Sequence, residues 1–228
     1  MSDLPKVLQP LCGRPLIHYV VESLKNSGIR EIIVVVGYRG DDVKKALAVS
    51  GVSFVWQREQ LGTGHAVMQA ESELKNHHGR VIIACGDVPL IRPETFSGLV
   101  RDSLGEGVKA VVLTMKPGNP AGYGRIVRDG GGNFTGIVEE KDASPQEKLI
   151  GEVNSGTYIF NTELLFKGLK TINTDNAQKE YYLPDALRYV LKSGYTVKTL
   201  LLENPVEGSG VNTRDELMAL EKYINDRH

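Results

Sequence analysis

The run Arg80-Val81-Ile82-Ile83-Ala84-Cys85-Gly86-Asp87-Val88-Pro89-Leu90 constrains the chain most, because a continuous apolar stretch ends at a glycine and leaves one carboxylate just beyond it. Unbroken apolar runs of this length mark strands covered on both faces. The carboxyl ends of such strands are where open α/β sheets bind ligands. Taken alone, Asp87 reads equally well as a turn-former whose side chain caps nearby backbone N–H groups. A second segment, Gln57-Arg58-Glu59-Gln60-Leu61-Gly62-Thr63-Gly64-His65-Ala66, repeats the pattern. There a strand end passes through two glycines into a helix start, which presents backbone N–H groups to an anion or a base edge.

The pattern around these segments alternates strand and helix. Glu31 to Gly37 and Arg80 to Cys85 read as parallel strands, and helical spacing covers Pro15 to Ser27, Asp41 to Ala48, His65 to Leu74 and Pro93 to Ser103. Val108 to Met115 restores a strand. From Tyr123 the texture changes to short strands, Tyr123 to Arg128, Phe134 to Glu139 and Thr157 to Asn161, separated by turn residues such as Asp129-Gly130-Gly131-Gly132. These predict an antiparallel excursion laid over the main sheet. Helices at Thr162 to Leu169, Leu183 to Lys192 and Thr213 to Asn225 and a strand at Tyr195 to Leu202 complete the pattern. With no linker and no internal repeat, residues 1–228 read as one domain. The fold class is α/β, with a mixed, mostly parallel sheet flanked by helices.

Composition removes several function classes. A net charge of −1 over 228 residues argues against nucleic-acid binding, which calls for a basic stripe. No apolar run approaches a membrane span, and the start Met1-Ser2-Asp3-Leu4-Pro5-Lys6 lacks the features of a signal peptide, so a cytoplasmic protein is expected. Cys12 and Cys85 form neither a disulfide framework nor a metal cluster and read as small packing residues. The glycine-rich phosphate cradle that usually follows the first strand of a nucleotide-binding α/β fold is not found, and Gly37-Tyr38-Arg39-Gly40 reads as a tight turn rather than a substitute.

Seven segments, in order along the chain, carry a resemblance. They are Ser2-Asp3-Leu4-Pro5-Lys6-Val7-Leu8, Glu59 to Ala66, Gly86-Asp87-Val88-Pro89-Leu90, Gly122-Tyr123-Gly124-Arg125-Ile126, Ile137-Val138-Glu139, Asn176-Ala177-Gln178 with Glu180-Tyr181-Tyr182, and Gly210-Val211-Asn212. Together they resemble the uridylyltransferase domain of the N-acetylglucosamine-1-phosphate uridylyltransferase family, a Rossmann-like nucleotidyltransferase fold. Family members carry a strand and a loop of the type Leu-Ala-Ala-Gly-x-Gly-Thr-Arg-Met before the Ser-Asp-Leu-Pro-Lys segment. Of this only Met1 is seen here, so the resemblance leads one to expect an unpaired sheet edge and weak triphosphate binding. A left-handed β-helix acetyltransferase domain follows in bifunctional members, and acetyl transfer is not expected of this chain. A monomer or weak dimer is the default expectation.

What the resemblance implies for single residues is specific. The substrates are UTP and N-acetylglucosamine-1-phosphate and the cofactor is Mg²⁺, with Asp87 and Asn212 as its protein ligands. Lys6 meets the phosphates, where a point charge on a flexible stem suits a shifting oxygen. Gln57, Gly62 and Thr63 read the uracil through an amide side chain and exposed backbone groups. Gly124, Glu139, Asn154 and Tyr182 hold the sugar. Without the resemblance each has a plainer reading: Asn212 as a helix cap, Lys6 as an exposed lysine near the terminus, Gln57 as a polar strand end, Glu139 as part of a solvated charge run, Tyr182 as a core aromatic with a wet hydroxyl. Two other functions stay open from sequence: a relative that binds sugar nucleotide without turnover, and a nucleotidyltransferase for another sugar phosphate or base.

Overall fold

The computed structural model describes residues 4–227, so Ser2 and Asp3 of the first motif lie outside the described residues. After a short 3-10 turn at Lys6–Leu8, a two-residue hairpin joins β1 (Pro10–Leu11) to β2 (Arg14–Pro15). Its turn, Cys12-Gly13, has φ of 48° and 80°. Positive φ at both central residues is the geometry of a tight hairpin turn, and a cysteine there gives no sequence signal. Cys12 is accordingly exposed rather than a packing residue.

There follow α1 (Leu16–Asn26), β3 (Ile33–Val36), α2 (Gly40–Ala46), β4 (Ser53–Trp56), α3 (Thr63–Met68), α4 (Glu71–Leu74), β5 (Arg80–Ile83) and α5 (Pro93–Ser103). Then come β6 (Val108–Met115), β7 (Arg125–Arg128), β8 (Phe134–Val138), β9 (Val153–Asn161), α6 (Thr162–Leu169), α7 (Ala186–Lys192), β10 (Thr196–Leu201) and α8 (Arg214–Asn225). The main sheet runs β10-β6-β9-β7-β8, with β5 on β9, while β3 and β4 form a separate parallel pair.

The α/β class and the mixed sheet agree with the sequence, but the expectation of a mostly parallel sheet is corrected. Within the main sheet only β10 and β6 pair in parallel, whereas β9 is antiparallel to β5, β6 and β7. Continuous apolar runs report burial on both faces and carry no information about strand direction, and β9 supplies the reversal. The β7-β8 pair is likewise part of the sheet, not an excursion over it.

Alternation along β6 explains the layers. Ala110 and Val112 pack with Phe160 of β9 against α6 and α7, while Val111, Leu113 and Met115 face Phe96 and Leu99 of α5 and Val20 and Leu24 of α1. The next stripe of α1, Ile17 and Val21, packs on Val34 and Val36 of β3 and Val43 of α2. Thus α1 is buried on two sides and joins the β3-β4 pair to the rest. The expected unpaired edge is present: among the described residues β5 is bonded only to β9 and β3 only to β4, and every residue of β5 is partly exposed.

Candidate active site

Three groups of expected residues lie at strand ends. The first centres on Asp87, at the carboxyl end of β5. Asp87 O accepts from Val211 N–H at 3.0 Å, which draws the segment before α8 against the strand end. Asn212 is not the cap of that helix. Thr213 is, in a reciprocal box with Glu216, and Glu216 also accepts from Asn212 N–H at 2.6 Å. The Asn212 side chain is therefore free to face Asp87. Between them stands Lys6, whose Nζ donates to Asn212 Oδ1 at 2.8 Å and forms an ion pair with Asp87. Next to Asp87, Gly86 has no side chain to displace the Lys6 segment: a Cβ there would meet Ile17 at 2.7 Å and Val7, the neighbour of Lys6, at 3.1 Å. An anionic and an amide oxygen sharing one ammonium form the hard-oxygen donor set that suits a magnesium ion with few protein ligands.

The second group lies beyond β4. Gln57 N–H donates to Val36 O at 2.8 Å, and its side-chain amide donates to Gly62 O at 3.1 Å and lies 3.1 Å from His65 Nδ1. Gly62 has φ of 108°, and a Cβ on it would stand 2.8 Å from Tyr181 O. Only glycine satisfies both constraints. The Thr63 hydroxyl accepts from Leu183 N–H at 3.1 Å, so its side chain is committed to fastening the loop rather than facing a base. Tyr181 N–H donates to Leu61 O and Gly64 N–H to Tyr181 O, at 2.8 and 2.7 Å.

Those bonds bracket Tyr182, the first member of the third group. Tyr182 is buried and its hydroxyl donates to Asp142 at 3.2 Å. Burial, then the nearby Asp142 carboxylate, pushes its phenol up to about 12. Glu139, just past β8, lies against Gly124, where a Cβ would be 3.1 and 3.2 Å from its two carboxylate oxygens. Burial, reinforced by Asp142 and Asp185, pushes Glu139 up to about 7. Gly124 O accepts from Asn154 N–H at 2.8 Å. Asn154 is buried, with Nδ2 donating to the Tyr158 hydroxyl at 2.6 Å and Oδ1 accepting from Gly156 N–H at 3.0 Å. One amide hydrogen and one lone pair of its side chain are left over.

Register places the first and third groups at the same edge. Ile83 opposes Tyr158 and Thr114 opposes Asn154, so the end of β5, the end of β6 and the start of β9 face the same way. Cys85, packed beneath, donates to Gly156 O at 3.5 Å, and its thiol is pushed up to about 12, chiefly by burial. Asp142, Tyr158 and His65 belong to this neighbourhood and were not singled out from sequence. Asp142 stands in the Glu139-Glu140-Lys141-Asp142 run, which looks like solvated charge. Arg125, beside Gly124, is structural: it is buried and paired with Glu140 at 2.7 Å.

Among the described residues, no helix is long and apolar enough to cross a membrane. The family model of the MobA-like NTP transferase domain matches residues 1–141. The bifunctional protein GlmU of Pelotomaculum thermopropionicum is 48% identical over 99% of this chain and 49% of its own length. That of Oceanobacillus iheyensis is 45% identical over 100% of this chain and 50% of its own. The chain thus spans about half the length of the curated relatives it matches. A solved structure of UDP-glucose pyrophosphorylase complexed with UDP-glucose superimposes with a TM-score of 0.75 at 18% identity, covering 99% of this chain and 92% of that one. That likeness concerns the fold.

Proposed function

The chain belongs to the MobA-like NTP transferase domain family, and from that premise we propose that it transfers a uridylyl group from UTP to N-acetylglucosamine-1-phosphate. The family match and the GlmU relatives together support a sugar-phosphate nucleotidyltransferase. The observation that carries the reading is the convergence of Lys6, Asp87 and Asn212 beyond β5, on the sheet edge that also bears Gly124, Glu139 and Asn154.

In the proposed reaction a phosphate oxygen of the sugar 1-phosphate attacks the α-phosphorus of UTP. The bond from that phosphorus to the oxygen leading to the β-phosphorus breaks, and pyrophosphate leaves with its electron pair. Two polyanions must be aligned and their charge neutralised, and no protein nucleophile is needed. Lys6 carries a mobile positive charge to the phosphates. Asp87 and Asn212 would hold Mg²⁺, which when bound neutralises phosphate charge. With its amide nitrogen held by Gly62 O and His65, Gln57 would offer its Oε1 to the uracil imide N–H, and the Gly62 and Thr63 backbone N–H groups would meet the uracil carbonyls. Gly124 lets backbone approach the acetamido group, while Glu139 and Asn154 meet sugar hydroxyls. Glu139 needs no proton-transfer role, because the attacking phosphate oxygen is already ionised near neutral pH.

Product analysis with each nucleoside triphosphate paired with N-acetylglucosamine-1-phosphate or glucose-1-phosphate tests this reading. UDP-N-acetylglucosamine as the dominant product is expected. A different nucleotide sugar formed in preference would overturn the assignment of base or sugar.

A further inference from the structure

Lys6 stands where the proposed function would place a metal ion. Its single ammonium touches Asn212 Oδ1 at 2.8 Å and is ion-paired with Asp87 at the same time. It therefore satisfies both oxygens that the reading assigns to Mg²⁺. Both backbones are held independently of Lys6: Asn212 N–H donates to the Glu216 carboxylate at 2.6 Å, and Asp87 O accepts from Val211 N–H at 3.0 Å.

We infer that Lys6 is the resident counter-ion of the Asp87–Asn212 pair, so that in the nucleotide-free protein its ammonium occupies the cation position and must leave before a divalent ion enters. The inference rests on the metal reading above and adds an order of events to it. The backbone of Lys6 is held by Gln9 N–H on Lys6 O at 3.0 Å and by Val7 against Gly86. Its side chain is 41% exposed, so the stem can swing while its root stays fixed. A triphosphate offers the ammonium a better anion than one carboxylate. Lys6 then moves to the phosphates and vacates both oxygens in the same motion. Metal affinity is thereby coupled to nucleotide binding, and by reciprocity the metal strengthens the nucleotide. The coupling guards the free site against occupation by ions arriving without substrate.

The test is Mn²⁺ binding to nucleotide-free protein, followed by the electron paramagnetic resonance signal of unbound ion. Lys6→Met keeps the stem and removes the charge, and it should tighten Mn²⁺ binding by about tenfold, the scale of one partly exposed charge-assisted contact released. Lys6→Arg should bind as weakly as wild type. Lys25→Met, which loses an equal charge at an exposed position held by the Ser50 carbonyl, controls for net charge and should change nothing. Thermal unfolding of each variant confirms that it is folded.

Equal affinity in wild type and Lys6→Met overturns the counter-ion role, as does an equal gain in Lys25→Met. Asp87→Asn placed in the Lys6→Met background separates this from the underlying reading. If the tightened binding survives there, Asp87 is not a ligand and the metal assignment itself falls. If Asp87→Asn abolishes the binding of a protein that Lys6→Met leaves unchanged, the metal site stands and only the counter-ion role is lost.

Discussion

Gly124 and Glu139 show a backbone position and a charge state being fixed together. The carboxylate can lie on the Gly124 backbone only because no Cβ is there, and it loses water in doing so, which pushes its pKa from 4.5 to about 7. The folded protein thus keeps a proton that the unfolded chain has already released. Stability from this group is full below 4.5 and is lost as pH rises through about 7. The loss is on the order of 3 kcal/mol. Glu139→Gln should flatten that part of the profile and leave the variant the more stable protein on the alkaline side, read by denaturant unfolding on both sides of the window. An unchanged profile would contradict the burial of the charge. Gly124→Ala places a methyl 2.8 Å from Ile137 and against Glu139. It should cost about 1–3 kcal/mol of stability and raise KM for the sugar phosphate about tenfold with a smaller effect on KM for UTP. Equal effects on both substrates would place the sugar elsewhere.

At the scale of elements, what could be read in advance followed periodicity. The helix at Pro93–Ser103 and the strand at Val108–Met115 match their sequence pattern end to end, because each has strong apolar spacing and clear stops. For β9 only the second half was legible. Its first half, Val153-Asn154-Ser155-Gly156, is polar and small, and it is buried by bonds that no pattern reveals, such as the Ser155 hydroxyl on Leu113 O at 2.8 Å. That hidden half carries Asn154 and joins β7 to the sheet through the Val153–Arg125 pairing. The helical spacing over His65 to Leu74 became two short helices, α3 and α4, with a turn at Gln69-Ala70. Edge status also belongs to this scale. Amides of β5 that point away from β9 should exchange hydrogen faster than those of β6, which is bonded on both sides. Uniform protection across β5 and β6 would mean that the β5 edge is covered.

For the whole molecule, the candidate site is a product of topology. Asp87 and Asn212 lie far apart in the sequence, and neither residue alone distinguishes a ligand from a turn or a cap. The backbone bond from Val211 to Asp87 joins them, and Thr213 takes the capping task that Asn212 would otherwise fill. Gly62, Thr63 and Tyr182 are similarly stapled across the chain by the Leu61–Tyr181 and Thr63–Leu183 bonds. Their proposed roles rest on the family resemblance; the structure shows the Thr63 hydroxyl occupied by Leu183 N–H, and Asn154 with half of its hydrogen-bonding capacity left. The most direct measurement is pyrophosphate release by this protein with UTP, N-acetylglucosamine-1-phosphate and Mg²⁺, alongside Asp87→Ala. Release that falls by ~10²-fold or more in the variant is expected, as for loss of a group that organises phosphate charge. No release from the parent protein, or release that Asp87→Ala leaves intact, would contradict a uridylyl transfer centred on Asp87.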